Sequence, residues 1–241
     1  LLSFGLASFP ERTAVIAENR YLTFSEVDDR ASRLVSYFAR AGLESGDRLA
    51  LLSKNEIEFL EIQVAATRAG LILVPLNFRL TEPELEYILG DCDPSLLIAA
   101  REFEATAKKL ANETLVLGDE YENALADASS DSDAGPILAD RDCKIIYTSG
   151  TTGRPKGAVI SNSAMFARIS NFVFEYETRP GDVFLQCLPL FHIASSVTFT
   201  YAYAGATNVF LKDFHPLGVL ESIEKYQVST ALLVPTMINT L

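Results

Sequence analysis

Short apolar runs alternate with helix-period segments along the first 118 residues, and this alternation constrains the fold more than any other feature. The runs at residues 48–53, 71–75 and 95–99 predict buried strands. Between them, apolar residues recur three and four positions apart, which predicts helices with one apolar face. Strands that alternate with helices usually pair in parallel, because each helix carries the chain back to the same edge of the sheet. The sequence therefore predicts an α/β fold of mostly parallel sheets flanked by helices.

Each of the three predicted helices in this part begins at a polar residue that could cap it, with an acidic residue three positions later. The pairs are Ser25 with Asp28, Asn55 with Glu58, and Thr81 with Glu84. In a capping box, such side chains satisfy backbone N–H groups that the first helical turn leaves free. Gly70 follows the second helix, as expected at a helix C-terminus.

The second half of the chain predicts further strands and helices after an acidic connection. Residues 119–142 are rich in Asp, Ser and Ala and predict a linker or loop. Strands are then predicted at 143–147, 183–188, 207–211 and 230–234, with helices at 161–177 and 216–226. The predicted division is an N-terminal α/β subdomain at 1–118, the linker at 119–142, and the start of a second α/β subdomain at 143–241.

The composition excludes several classes of function. A net charge of −12 opposes binding to nucleic acids or anionic membranes, because both are polyanions. The three cysteines are far apart and odd in number, which predicts neither a disulfide framework nor a zinc site. The two histidines, His192 and His215, are too few for a histidine-based metal centre, and we expect His215 to be structural. We expect no nucleic-acid partner and assign no metal ligand.

One uncharged stretch is long enough to be mistaken for a membrane span. Residues 183–211 contain no Asp, Glu, Lys or Arg. Gln186, His192 and Asn208 are spread through the stretch, however, and a lipid-facing helix would leave them without hydrogen-bond partners. We expect a strand, a loop and a short buried helix here and no transmembrane segment. With no signal peptide evident, we expect a cytoplasmic protein.

A glycine- and hydroxyl-rich segment follows the strand predicted at 143–147. Residues 147–157 read Tyr-Thr-Ser-Gly-Thr-Thr-Gly-Arg-Pro-Lys-Gly. Glycines at 150, 153 and 157 let the backbone adopt positive φ and approach a ligand, so that successive amides can face phosphate oxygens. Hydroxyl groups can donate to phosphate or help to hold a metal, and Lys156 and Arg154 add positive charge. The predicted nucleotide-binding residues are Thr148, Ser149, Gly150, Thr151, Thr152, Gly153 and Lys156.

Other interpretations of this segment are weaker. A Ser/Thr/Gly turn that joins two strands of a hairpin is one alternative, but such turns seldom carry four hydroxyl groups and two cations. The GxxxxGK[ST] phosphate loop is absent, because the residue five positions after Gly150 is Pro155. The GxGxxG dinucleotide fingerprint does not occur either.

The segment resembles the signature of the adenylate-forming superfamily. This superfamily contains acyl- and aryl-CoA synthetases, adenylation domains of peptide synthetases and beetle luciferases. Further segments resemble the family in the expected order: 54–59, 68–70, 74–80, 84–89, 188–192 and 204–207. The resemblance covers nearly the whole chain and is greatest to acyl-CoA synthetases. It implies the N-terminal part of the adenylate-forming fold, with stacked, mostly parallel sheets flanked by helices and the C-terminal portion absent.

The resemblance also implies a reaction and its co-substrates. In this family a carboxylate attacks the α-phosphate of ATP, pyrophosphate leaves, and coenzyme A usually captures the acyl-adenylate. ATP, Mg²⁺, coenzyme A and a small carboxylic acid are therefore the expected partners, with the loop contacting the β- and γ-phosphates. The family histidine at the position of His192 lies against the acyl group and the adenylate, which makes His192 the expected catalytic and substrate-binding residue. Without the resemblance, a lone histidine among apolar residues is more often part of the core.

Some features limit what the resemblance implies. Residues 194–196 read Ala-Ser-Ser where many relatives have glycine, and the added bulk could narrow the acyl or pantetheine channel. The family's adenine-binding, ribose-binding and hinge motifs and its catalytic lysine would all lie beyond Leu241. We therefore expect the chain alone to have little or no activity. An adenylation domain of a peptide synthetase, or a non-catalytic nucleotide- or acyl-binding module, remains an alternative, and a homodimer is possible.

Overall fold

The computed structural model describes residues 3–131, 136–148, 154–192 and 195–241. Among these residues the helices are α1 (Ser3–Ser8), α2 (Phe24–Arg40), α3 (Glu58–Ala69), α4 (Glu82–Cys92), α5 (Glu104–Leu110), α6 (Asp119–Ala126), α7 (Asn162–Glu175), α8 (Ser195–Tyr203), α9 (Pro216–Tyr226) and α10 (Pro235–Ile238). The strands are β1 (Thr13–Ala17), β2 (Arg20–Thr23), β3 (Arg48–Leu52), β4 (Ile72–Pro75), β5 (Leu96–Ala99), β6 (Thr114–Val116), β7 (Asp142–Thr148), β8 (Lys156–Ser161), β9 (Val183–Gln186), β10 (Thr207–Phe210) and β11 (Thr230–Ala231). The predicted α/β fold with mostly parallel sheets is confirmed.

The chain divides into two compact units, each built from separate segments. The first unit comprises residues up to Asp28, Lys54–Glu61 and Met165–Leu241, and the second comprises Asp29–Ser53 and Ile62–Ala164. The structure therefore groups the chain differently from the predicted division at residues 118 and 143. Residues near the N-terminus join the first unit because β1 pairs with β10, which lies almost two hundred residues later.

The second unit contains a six-stranded sheet in the order β6-β5-β3-β4-β7-β8. Its strands pair in parallel except for β7 and β8, which are antiparallel. The central strand β3 is almost completely buried from Leu49 to Leu52, as expected for a parallel strand covered on both faces. Apolar residues of α4 and α5 pack with β3, β4 and β5 in one core cluster. The strand predictions at 48–53, 71–75 and 95–99 are confirmed.

The helix caps agree with the sequence only in part. The carboxylate of Glu84 accepts hydrogen bonds from the backbone N–H and the hydroxyl of Thr81, at 2.8 and 2.7 Å, which confirms that capping box and lowers the pKa of Glu84. The prediction that Ser25 caps α2 is wrong. Thr23 caps α2 instead. Its Oγ1 accepts a hydrogen bond from the backbone N–H of Glu26 at 3.2 Å, and the backbone N–H of Thr23 donates to the Glu26 carboxylate at 2.7 Å.

The first unit contains a five-stranded sheet in the order β11-β9-β10-β1-β2. Only β2 runs antiparallel to its neighbour. The uncharged stretch at 183–211 contains β9, the buried helix α8 and β10, so the expected strand, loop and short buried helix are confirmed. The ring of Tyr201 on α8 stacks on Phe184 of β9 with centroids 4.5 Å apart. Among the helices in the described residues, none has the length and apolar character needed to cross a bilayer.

Part of the predicted acidic loop is helical. Residues 119–126 form α6, whose Tyr121 and Leu125 are buried, so the loop prediction is wrong for this segment. Tyr121 also lies beneath Arg30, whose guanidinium carbon is 5.9 Å from the ring centroid. The acidic composition of the segment favours a loop. Tyr121 and Leu125, however, are four residues apart and therefore share one buried helix face.

Lys144 of β7 is fully buried, which is unusual for a lysine. Burial disfavours the charged ammonium and lowers the pKa of Lys144 to about 7. In the unfolded chain the same group has its ordinary pKa of about 10.4. Between these two values the unfolded chain binds more protons, so the free energy of unfolding increases as the pH rises.

We predict that raising the pH from 7 to 8.5 stabilises the chain by roughly 1–2 kcal/mol through Lys144. Burial raises the pKa of Cys92, Cys143 and Cys187 to about 11. The same thiols ionise at about pH 8.5 in the unfolded chain, so their titration begins to oppose the Lys144 contribution there and outweighs it at higher pH, and the range ends at this point. Urea unfolding across this range measures the effect. Lys144→Met should flatten the pH dependence, whereas Lys108→Met, at an exposed helix position, should not. Equal slopes for the wild type and Lys144→Met would contradict the prediction.

Candidate functional sites

The glycine-rich segment joins the antiparallel strands β7 and β8 in the second unit. Thr148 pairs with Lys156 and Tyr147 pairs with Gly157, so the connection begins and ends at directly opposed residues. The hairpin alternative is therefore correct about the flanking strands. Five predicted phosphate-binding residues, Ser149, Gly150, Thr151, Thr152 and Gly153, lie outside the described residues, and their role stays a prediction.

Two of the predicted nucleotide-binding residues lie at the mouth of this connection. Thr148 ends β7, Lys156 begins β8, and both side chains are exposed. Among the described residues, no carboxylate forms an ion pair with Lys156. A hydroxyl and an exposed ammonium on opposed strands are suited to the oxygens of an anionic ligand. Arg154 lies beside them, with its guanidinium carbon 5.5 Å from the ring centroid of Tyr87.

The base of the connection is fixed by Tyr147. Its hydroxyl donates a 2.5 Å hydrogen bond to the carboxylate of Asp91 on α4. Burial and this hydrogen bond raise the pKa of Tyr147 well above its usual range, so the hydroxyl stays protonated and keeps donating. The contact with Asp91 is not evident from the sequence, because nothing in the spacing links residues 91 and 147.

Gly157 is needed for packing and does not use the conformation that the sequence predicts. The described glycines with positive φ are Gly42, Gly46, Gly70, Gly118 and Gly205, so the expectation of positive φ at Gly157 is wrong. A Cβ added at Gly157 would lie 2.8 Å from Cγ2 of Ile145 and 3.2 Å from Cζ of Tyr147. A side chain at position 157 would therefore press on the residue that anchors the loop.

His192 lies in the first unit, in the connection between β9 and α8. Its side chain is exposed, so the core-histidine alternative is wrong. Its backbone N–H donates to the carbonyl of Pro189 at 3.3 Å, and its own carbonyl accepts from the N–H of Ser195 at 3.0 Å. The bond to Pro189 closes a turn, and His192 at the end of this turn is exposed to solvent. The predicted catalytic and substrate-binding role of His192 stays a prediction.

Asn55 reaches this connection from a distant part of the sequence. Its Nδ2 donates to the carbonyls of Leu188 and Leu211 at 3.1 and 2.9 Å, and its Oδ1 accepts from the N–H of Leu190 at 2.9 Å. The side chain is thus committed elsewhere, and its predicted role as the cap of α3 is wrong. The sequence offers no signal for these bonds beyond the presence of Asn55 in a segment that resembles the adenylate-forming family.

Helix α8 begins at Ser195, three residues after His192, and its first residues are buried. Ser195 and Ser196 are at most 1% exposed, and Ser196 Oγ accepts a 2.6 Å hydrogen bond from Nε of Arg168 on α7. Further along α8, Thr198 donates to Gln186 of β9 at 3.0 Å. The hydroxyls therefore hold the helix in place, and the predicted narrowing of an acyl channel is left untested. Ala194 lies outside the described residues.

Other titratable groups provide no further centre. No group of three or more His, Cys, Asp and Glu in the described residues could hold a metal ion, so Mg²⁺ has no assigned protein ligand. His215 precedes Pro216 at the start of α9, and its carbonyl accepts from the N–H of Val219 at 3.0 Å. A surface groove of about 340 Å³ in the first unit is lined by residues of β1, β2 and the end of α9, and no predicted site residue lines it.

Comparison with known proteins identifies the family. A family described as AMP-binding enzyme matches residues 5–241, which is nearly the whole chain. The chain belongs to the AMP-binding enzyme family. This membership confirms the resemblance to adenylate-forming enzymes on which the prediction of an ATP-dependent acid ligase rests.

Individual relatives agree with this membership. The chain is 35% identical to a feruloyl-CoA synthase from an Amycolatopsis species, over 97% of this chain and 49% of the relative. It is 33% identical to a fatty acid–[acyl-carrier-protein] ligase from Streptomyces coeruleorubidus, over 98% of this chain and 48% of the relative. The crystal structure of ATP-bound MatB from Rhodopseudomonas palustris superimposes with a TM-score of 0.87 at 27% identity, covering 99% of this chain and 50% of that one. The chain of this AMP-binding family member thus spans about half the length of the curated relatives it matches.

We predict that Gly157→Ala destabilises this AMP-binding chain by about 1–3 kcal/mol, because the new methyl group overlaps Ile145 and the Tyr147 ring. Chemical denaturation measures the change. Gly90→Ala is the matched control: Gly90 lies in α4 with open space around it, and alanine there should be neutral or stabilising. Equal effects of the two substitutions would contradict the packing role of Gly157.

Proposed function

We propose that this chain supplies the phosphate-binding loop and the acyl-contacting histidine of an ATP-dependent carboxylic acid–CoA ligase. The observation that carries the proposal is an eleven-residue adenylate-forming signature mounted between β7 and β8, with exposed Thr148 and Lys156 opposed at its ends. Membership of the AMP-binding enzyme family supports it.

The loop residues would bind and orient the nucleotide. When bound, ATP supplies an electrophilic α-phosphorus and a pyrophosphate leaving group. The Lys156 ammonium would hold the β- and γ-phosphate oxygens, and the Thr148 hydroxyl would donate to the same oxygens. Such groups act by positioning and by neutralising charge, which is the main contribution of a protein to phosphoryl chemistry. The chain's net charge of −12 makes these local donors necessary.

His192 would contact the reacting carboxylate. Its exposed imidazole is free of the core and can meet a ligand, in contrast to the buried Ser195 and Ser196 that follow. An imidazole N–H there would orient the carboxylate toward phosphorus and later contact the acyl-adenylate. The chain alone should release little or no pyrophosphate, because the intact enzyme would be about twice its length.

The thiol that captures the acyl group has two candidates. Coenzyme A is favoured by the similarity to a feruloyl-CoA synthase. The similarity to a fatty acid–[acyl-carrier-protein] ligase favours a carrier-protein thiol as the second candidate, which is close to the peptide-synthetase alternative. Supplying the intact enzyme with either thiol and detecting the thioester distinguishes them. Binding of ATP without pyrophosphate release from any acid would instead favour a non-catalytic module.

Cellular location and assembly are part of the proposal. Three free cysteines, Cys92, Cys143 and Cys187, are all buried, which is in accord with a reducing compartment such as the cytoplasm. A homodimer is proposed without an assigned interface, and light scattering of the purified enzyme tests it.

We predict that Lys156→Ala raises the KM for ATP or lowers kcat of adenylation by roughly 10- to 100-fold in the intact enzyme. The melting temperature should not change, because the side chain is exposed. Pyrophosphate release with a panel of carboxylic acids measures the rates. Lys108→Ala, which removes another exposed lysine, should leave them unchanged. A lowered melting temperature with unchanged dependence on ATP would contradict the role of Lys156.

A further inference from the structure

We propose that Asn55 is a positioning residue, which holds the connection that carries His192 in its working conformation. The inference rests on the proposed function, because it acts through the proposed role of His192. It concerns the first unit alone, since Asn55, His192 and all the hydrogen-bond partners described below belong to that unit.

The side-chain hydrogen bonds of Asn55 reach the ends of two neighbouring strands. Leu188 follows β9, and Leu211 follows the adjacent parallel strand β10. Because the strands are parallel, their carboxyl ends meet at one edge of the sheet, where binding sites of open α/β sheets usually form. The Asn55 amide donates to the backbone carbonyls of both Leu188 and Leu211. It thereby links the two segments that follow β9 and β10 at this edge.

Asn55 also forms a hydrogen bond to the connection that carries His192. Asn55 Oδ1 accepts from the N–H of Leu190, a residue that is 1% exposed. His192 lies two residues further on and turns back through its hydrogen bond to Pro189. Asn55 therefore holds the residues on both sides of Pro189. Because His192 is hydrogen-bonded to Pro189, a displacement of the backbone at Pro189 would also displace the imidazole.

Water cannot readily replace the amide of Asn55, because the residue is buried. Asn55 is 3% exposed, and loss of its amide would leave the Leu190 N–H and the Leu211 carbonyl without that partner. The Leu188 carbonyl would keep a second donor, Nε2 of Gln186. An unsatisfied buried group is costly, so the connection is expected to rearrange until these two groups find new partners.

Asn55 is itself held from both sides by ion pairs of its two chain neighbours. Lys54 forms an ion pair with Asp213 at 2.8 Å, and Glu56 forms one with Lys212 at 2.9 Å. Both pairs are partly exposed and add little stability, but they fasten the backbone around Asn55 to the chain that leaves β10. The amide is thus a fixed reference point for the His192 connection.

A double-mutant cycle in the intact enzyme tests the proposal. We measure single-turnover adenylation and the melting temperature of the wild type, Asn55→Ala, His192→Ala and the double variant. Asn55→Ala should slow adenylation by roughly 10- to 100-fold, because a displacement of about 1 Å can cost that much. The KM for ATP should change little. If Asn55 acts through His192, the double variant should be no slower than His192→Ala alone, within about twofold.

Matched variants separate positioning from general destabilisation. Asn208→Ala removes another fully buried amide of the same unit, one that donates to the Ala14 carbonyl at 3.5 Å, and should leave the rate unchanged. If Asn55→Ala does not fold, Asn55→Asp takes its place in the cycle, because it keeps the acceptor for Leu190 and loses both donated bonds. Asn55→Asp alone should also slow adenylation. Combined with His192→Ala, it should not lower the rate below that of His192→Ala alone.

The outcomes are distinct from failure of the proposed function. Two results would overturn the positioning role while leaving the function intact. One is a double variant whose loss of adenylation rate is the product of the two single losses. The other is a loss of rate in Asn208→Ala equal to that in Asn55→Ala. A wild-type enzyme that forms no adenylate would refute the function, and the inference would fall with it. A fully active His192→Ala would refute the role of His192, and with it the inference, while leaving the ligase activity intact.

Discussion

Backbone groups at the ends of buried parallel strands must find hydrogen-bond partners, and both units are organised around this requirement. A parallel strand covered on both faces leaves its carboxyl end inside the protein, where an unpaired carbonyl or N–H is costly. In the first unit the side chain of Asn55 provides partners for three such groups at once. The same bonds set the path of the connection that presents His192, so the packing requirement and the proposed function depend on one amide.

The second unit differs, because the antiparallel strand β8 pairs with β7 at the edge of its otherwise parallel sheet. In the familiar phosphate loops a helix follows the loop, and its N-terminus attracts the anion. Here β8 follows the loop, so any phosphate would depend on loop amides, hydroxyls and Lys156. A loop without a helix behind it needs a firm base, which the Tyr147–Asp91 hydrogen bond and the close packing of Gly157 provide.

The sequence predicts the fold class and most central strands, because a short run that is apolar at every position from Leu49 to Leu52 is typical of a buried parallel strand. It predicts the Thr81 capping box because both partners are local. It does not predict β1 and β2. The apolar run in β1 is short and the strand depends on pairing with the distant β10, while β2 pairs with β1. Asn55 shows the limit most clearly. Its spacing to Glu58 is that of a helix cap, but tertiary partners more than 130 residues away use its side chain instead. Of the site, the loop and His192 follow from motifs, whereas Asp91 and Arg168 become visible only in three dimensions.

The central claim is that a carboxylate oxygen attacks the α-phosphorus of ATP in the enzyme that contains this chain. The most direct measurement supplies a carboxylic acid labelled with ¹⁸O in both carboxylate oxygens, together with ATP and the acceptor thiol, and determines the label in the products by mass spectrometry. The proposed mechanism predicts one ¹⁸O atom in AMP, because the oxygen that bridges carbon and phosphorus leaves with the nucleotide. Unlabelled AMP, or ¹⁸O in inorganic phosphate with ADP as the nucleotide product, would contradict it.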